Sequence, residues 1–396
     1  MLQVYQHWDK LKTCIVGQAY PPQFFSYIKN PRVRNVFEKI AIETEEDFQK
    51  LIKLLESFNV KVLRPNILDN FEHYYNTTTQ RYSAPTVSPR DYCGMIGNEF
   101  YWDNNHAYSK NFIVDYTPEH EHILNFIKDN NNTIITGHEI NTASVTRVGK
   151  DLFFGTTFDL QPWWEKIKKP SWPKLIPENV LEYYTSNKHY FIDHFLKKNS
   201  ESAKTAYKES VEEMIVTELL EKTKLFPNNR CHVYDTGGHI DGVFCPVVPG
   251  LIVSRTDFDG NFSTNFPDWE VFEINTTFDA LTKFKKLRAK NSGRWWVPGE
   301  ENNHEFTDFV EELSNHWVGN IEETSFDVNM LVIDEKNVVC NNHNKEMFDV
   351  FKKYNITPHV IDFRYRHFWD CGWHCATNDI DREGNQVDYF PEREIK

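Results

Sequence analysis

The feature that most constrains this chain is an order of elements that recurs along it. In residues 327–362, "NMLVI" and "NVVC" predict two short strands about the turn residues of "DEKN". Met347, Val350, Phe351 and Tyr354 then recur at helical spacing, Asn355 suits a helix stop, and "HVIDF" predicts a third strand. The same order is met earlier. "YCGMIGNEFYW" (92–102) reads as strand, Gly-Asn turn, strand; Thr117-Pro118 suits a helix start, Ile123 and Ile127 share a face, and "NTIIT" (132–136) closes the unit.

"ASVTRVGKDLFFG" (143–155) predicts two strands about Gly149, leading through two helices to "RCHVYD" (230–235). "GVFCPVVPGLIVS" (242–254) predicts two strands about Pro249-Gly250, with a helix expected near Phe278 and Leu281. At the front, "LKTCIVG" (11–17) predicts a strand. Phe48, Leu51, Ile52 and Leu55 then form a helix face, and "VKVLRP" (60–65) follows. Five units of strand, strand, helix, strand would each leave a bare apolar face alone, so they should pack together. A ring about a central channel satisfies that requirement; an ordinary α/β chain is the alternative. Two stretches break the pattern, at about 156–229 ("QPWWEKIKKPSWPK", then Tyr207, Val211, Ile215 and Leu219 on one helix side) and 256–326 ("GRWWVPGEENNHEF"). Both read as elaborations over one mouth of the ring.

Of the 396 residues, 40% are hydrophobic and 15% aromatic, ample for a large core. The net charge of −14, without a long basic run, argues against a nucleic-acid partner. No apolar run is long enough to span a membrane and no signal peptide is visible. Seven cysteines, an odd and scattered set, suit a reducing cytoplasm better than a disulfide framework.

Four segments carry residues suited to chemistry. "HFWDCGWHCATNDIDREG" (367–384) crowds His367, Cys371, His374 and Cys375 together. Zinc, a reactive thiol or inert buried cysteine are all open there, although structural zinc sites usually join two separated ligand pairs. "DTGGHIDGVF" (235–244) offers His239 and Asp241, two apart and so on one face of a strand. "SPRDYCGMIGNE" (88–99) offers Asp91 at a strand start. "GHEINTASVTRVGKD" (137–151) offers Glu139, Asn141 and Ser144.

Taken in order, "HWDKLKTCIVG", "PRDYCGMIGNE", "GGHIDGVFCPVVPGLIVS", "VNMLVIDEK" and "HCATNDIDREG" resemble the glycine amidinotransferase and inosamine-phosphate amidinotransferase family nearly end to end. The resemblance implies one α/β domain over 1–396: a five-bladed pentein α/β-propeller of strand–strand–helix–strand modules around a central channel. It implies transfer of the amidino group of L-arginine to a small primary amine through a cysteine-bound intermediate, with release of L-ornithine. A deiminase-like hydrolase, or a guanidino-compound binder without turnover, are the alternatives. Cys375 matches the nucleophile and His239 the acid/base; Asp91 and Asp241 match the carboxylates that hold the guanidinium, and Asn329 joins the substrate side. No cofactor and no metal are implied, and a homodimer is left open. Two departures stand out. An ungapped match puts Asn141 and Ser144 at the two acidic positions of an Asp-Ala-Ala-Asp motif, with Glu139 two residues away as the substitute acid. The carboxylate-binding arginine falls on Phe258, with Arg255 three residues away.

Overall fold

The computed structural model describes residues 1–102, 113–138, 140–156, 214–236, 239–256, 258, 260–274, 297–300, 302–314, 316–318 and 326–393. Its frame is five separate three-stranded sheets, each with one antiparallel and one parallel pairing. Strands β5 (Cys93–Ile96), β6 (Glu99–Trp102) and β7 (Thr133–Ile135) form one sheet, with helix α2 (Thr117–Asp129) between β6 and β7. Strands β8 (Val145–Val148), β9 (Asp151–Thr156) and β10 (Arg230–Asp235) form the next. Strands β11 (Phe244–Val248), β12 (Leu251–Arg255) and β13 (Glu270–Ile274) follow. Strands β14 (Leu331–Asp334), β15 (Asn337–Cys340) and β16 (Thr357–Val360) form the fourth, with helix α3 (Lys345–Lys353) before β16.

The remaining sheet joins the two ends of the chain. Strand β1 (Lys10–Val16) runs parallel to β2 (Lys61–Leu63) across helix α1 (Pro31–Ser57). Its antiparallel partner is β17 (Thr377–Glu383), so the first unit takes its missing strand from the far end of the sequence. A two-stranded ribbon, β3 (Tyr75–Asn76) with β4 (Arg81–Tyr82), lies outside this scheme. Among the described residues no hydrogen-bonded pairing merges the five sheets into one closed barrel.

The local chemistry behind the repeat is simple. Helix α1 starts where Asn30 accepts a hydrogen bond from the Arg32 N–H and Pro31 takes the first turn. Its buried stripe of Phe37, Ile40, Phe48, Leu51 and Leu55 has helical spacing. All three module helices stop alike. Asn59, Asn131 and Asn355 adopt left-handed φ of 60°, 60° and 57°. The next residue's N–H then returns to a carbonyl one turn back: Val60 to Leu55, Asn132 to Ile127, Ile356 to Phe351. Asparagine tolerates that conformation better than other side chains with a Cβ, so the chain leaves each helix straight into its parallel strand.

One expectation needed correction. The third strand of the fourth sheet begins at Thr357, two residues ahead of "HVIDF", and Phe363 leaves the strand to stack on Trp373 at 4.8 Å in the core. The third strand of the "GVFCPVVPGLIVS" unit is β13; the helix expected near Phe278 and Leu281 lies outside the described residues. Tyr207, Val211 and the Trp-rich runs lie outside them too, whereas Ile215 and Leu219 lie on a helix over 214–225 and pack beside Phe226.

Candidate active site

Five sequence segments reach the candidate site at equivalent places. Asp91 lies two residues before β5, Asn141 four before β8, Asp241 three before β11, Asn329 two before β14 and Cys375 two before β17. Each unit thus presents a polar side chain at the entry to its first strand. Short turns set the aim: Asp91 ends the 3₁₀ turn Pro89–Asp91, and Asp241 sits in the 3₁₀ turn Ile240–Gly242.

His239 and Asp241 therefore do not alternate along a strand as their spacing suggested. His239 precedes the turn with 41% of its side chain exposed, while Asp241 is 4% exposed. Tight turning, rather than strand pleating, separates the two.

The Cys375 thiol is buried and held on two sides. Asn329 Nδ2 donates to its Sγ at 2.9 Å, and the thiol donates to Asp241 Oδ2 at 3.3 Å. Asn329 Oδ1 accepts the backbone N–H groups of His374 and Cys375 at 3.1 and 3.0 Å. This fully buried amide clamps the turn that carries Cys375, and its Nδ2 also donates to the Asp241 carbonyl at 3.2 Å. Gly372 makes room for it, since a Cβ there would stand 2.5 Å from Asn329 Oδ1. Burial pushes the Cys375 thiol well above its usual value, the Asp241, Cys371 and Asp91 charges push the same way, and the Asn329 donor opposes them.

Asp241 Oδ2 also accepts from His374 Nδ1 at 2.7 Å. Burial would raise the Asp241 carboxyl, but His374, His239 and Arg90 together bring it below the ordinary carboxylate range. Asp91 lies 3.6 Å from His239 Nδ1. Burial pushes its carboxyl up to about 6, with His239 pulling down and Asp241 pushing up. Asp91 Oδ1 and Asp241 Oδ1 are both buried without a hydrogen-bond partner among the described residues. Such oxygens call for a donor, and two of them on separate acids suit a flat cation.

Beneath the site, Asp379 of β17 takes Arg90 at 2.8 Å, Arg147 at 2.7 Å and Arg382 at 2.6 Å, all buried. Arg90 Nε also donates to the His374 and Thr377 carbonyls, tying the Asp91 turn to the Cys375 turn.

The other expected residues fall as follows. Asn141 Oδ1 accepts the Ser144 N–H at 2.9 Å, capping its own turn. Glu139 lies outside the described residues. Arg255 ends β12, and its carbonyl accepts the Phe258 N–H. Phe258 stacks on Phe244, with ring planes 8° apart, so an aromatic wall occupies the position matched to the family's arginine. The four crowded zinc candidates disperse: His367 packs edge-on to Phe326 at 4.8 Å, Ser88 donates to the buried Cys371 sulfur, and His374 turns to Asp241. Among the described residues no three His, Cys, Asp or Glu side chains gather as a metal site. No described helix is long and apolar enough to cross a membrane.

No family model matches the chain. A curated relative, the mitochondrial glycine amidinotransferase of Xenopus laevis, is 22% identical over 98% of this chain and 84% of that protein. Its Xenopus tropicalis counterpart is 21% identical over the same shares. Among solved structures, SxtG, an amidinotransferase from Microseira wollei, superposes with a TM-score of 0.58 at 16% identity, covering 98% of this chain and 99% of that one. The inosamine-phosphate amidinotransferase StrB1 of Streptomyces griseus gives 0.58 at 14% identity with the same coverage. The resemblance to the amidinotransferase family spans the chain. The α/β fold of these enzymes is its fold, and the strand-entry site lies on that shared frame.

Proposed function

We propose that this protein is an amidinotransferase that moves the amidino group of L-arginine to a small primary amine and releases L-ornithine. The observation that carries the reading is the pair of buried carboxylate oxygens of Asp91 and Asp241, neither hydrogen-bonded among the described residues, beside a buried thiol; the Asp91 oxygen has His239 Nδ1 as a neighbour at 3.6 Å. The relatives' names support the reaction class. The reading takes residues 1–396 as one domain whose five blades stand in a ring, with the site at its mouth and the stretches at about 156–229 and 256–326 bordering the acceptor's approach. The β1–β17 pairing supports ring closure.

In the free protein Cys375 is a thiol, because burial and two carboxylates disfavour its anion. A guanidinium between Asp91 and Asp241 cancels that negative field and lets the thiol proton pass to His239. Sulfur attacks the central guanidinium carbon, forming the S–C bond. The C–Nε bond breaks as His239 returns the proton to the leaving nitrogen, giving ornithine and an amidino-cysteine. An amine then attacks that carbon, His239 takes its proton, and the C–S bond breaks to regenerate the thiolate. The route calls for no metal or organic cofactor. Arg255, Glu139, Asn141 and Asn329 are the remaining candidates around the substrate, and a homodimer is compatible with this reading.

The test is mass spectrometry of the intact protein with arginine, then with a panel of amines. An adduct on Cys375, absent in Cys375→Ala, and ornithine release stimulated by an amine support the reading. Citrulline or urea without amine would make the protein a hydrolase, and arginine binding without an adduct would make it a binder.

A further inference from the structure

Resting on that reading, we infer that His374 is a positioning residue: its Nδ1–H fixes the Asp241 carboxylate so that Oδ1 faces the guanidinium. Three observations place it. His374 Nδ1 meets Asp241 Oδ2 at 2.7 Å with both side chains buried. The same Oδ2 receives the Cys375 thiol, so one oxygen carries both internal contacts. The other oxygen, Oδ1, is buried and unpartnered among the described residues. An ionised carboxylate only accepts, so the shared proton belongs to Nδ1 and the imidazole acts as a fixed donor. Without it, Oδ2 would hold only the weaker thiol donor, and the carboxylate could turn Oδ1 inward.

His374 is poorly suited to acid/base work of its own. Burial and Arg90 take its titration down to about 4, with Asp241 and Asp379 opposing. His7, its ring 5.4 Å away, is another buried neighbour. The charged and titratable groups facing Asp241 are His374, His239, Arg90, Asp91, Cys375, Cys371 and Cys245. Of these, His374 makes the short contact. Removing its donor raises the Asp241 carboxyl and brings a second proton into the acid limb of arginine binding.

The experiment compares His374→Asn with His374→Gln, two amides of similar bulk. The Asn amide reaches the place of Nδ1; the Gln amide reaches past it. Arginine affinity is measured by calorimetry from pH 5 to 8, alongside ornithine release. The Asn variant should bind arginine within about threefold of the parent, while the Gln variant binds at least about tenfold more weakly and weakens further toward pH 5. Equal affinities and equal pH limbs in the two variants would overturn the inference. Failure of the parent protein itself to bind arginine would instead remove the proposed function.

Discussion

Two histidine–carboxylate pairs flank the thiol, and they are built to opposite specifications. His374–Asp241 is closed, with a 2.7 Å contact and side chains 6% and 4% exposed. His239–Asp91 is open, at 3.6 Å with side chains 41% and 20% exposed. The closed pair has a fixed proton and a fixed charge: its histidine resists protonation and its acid resists neutralisation. In the open pair the acid is pushed up to about 6, and solvent reaches the ring. The same two residue types therefore divide the labour by burial and distance. A histidine that must gain and lose protons belongs in the open pair.

Breaking each pair should have unequal consequences. Asp241→Asn removes the negative charge and sets an NH2 donor where one carboxylate oxygen stood, so that the amide can keep the His374 and thiol contacts only by turning that donor toward the guanidinium; ornithine release should fall by on the order of a hundredfold or more. Asp91→Asn should reduce it by roughly tenfold. Similar losses would show that the pairs are equivalent. The open pair also sets a pH limb. Asp91 is charged above about 6 and loses its charge as pH falls through that value, so the arginine KM should rise toward pH 5. Asp91→Asn should abolish that limb, whereas Asp241, held low, contributes none in this range.

A smaller perturbation acts through the clamp rather than the acids. Gly372→Ala drives a methyl into Asn329 and should lower kcat by about tenfold, with arginine affinity changed by less. Steady-state rates separate the two effects.

A third buried acid sharpens the comparison, because it has no histidine. Glu119 is fully buried, and the Tyr74 hydroxyl, which accepts the Leu68 N–H, only partly offsets that burial. The adjacent His120 is engaged by the Tyr92 hydroxyl and the Tyr116 carbonyl. Burial takes the Glu119 carboxyl up to about 8. Its contribution to stability is present below the unfolded-state value and lost as pH rises through about 8. Glu119→Gln should flatten this dependence and stabilise the fold at pH 8 by about 1–3 kcal/mol, read from urea midpoints at pH 5 and 8.

Most hairpins were legible because Gly97, Gly149 and Pro249-Gly250 punctuate clear apolar runs. Asn355 was legible as a helix stop, and Asn59 and Asn131 repeat its chemistry. Strand β17 was not legible. Its run "TNDIDRE" buries Asn378, which bonds the Cys93 carbonyl and Thr142, and Asp379 and Arg382, which pair with one another while Asp379 also takes Arg90 and Arg147, so no apolar alternation marks it. Strand β13 was hidden by a mixed, half-exposed pattern. Cys375, His239, Asp91 and Asp241 were found through motif likeness, since each alone reads as an ordinary turn or core residue. His374 stood out in the sequence only as one of four crowded zinc candidates; no spacing links position 374 to position 241, and only folding brings them within hydrogen-bond reach.

The pairing of β1 with β17 has a consequence for biogenesis. A nascent chain on the ribosome can already fold its inner sheets and display its acids, yet the sulfur that would react with guanidines is translated after all four of those sheets. Until that segment emerges, β1 waits with one edge unsatisfied, an opening for chaperones or for mispairing between copies. Synthesis of that one segment thus supplies the sulfur and covers the open edge of β1 together.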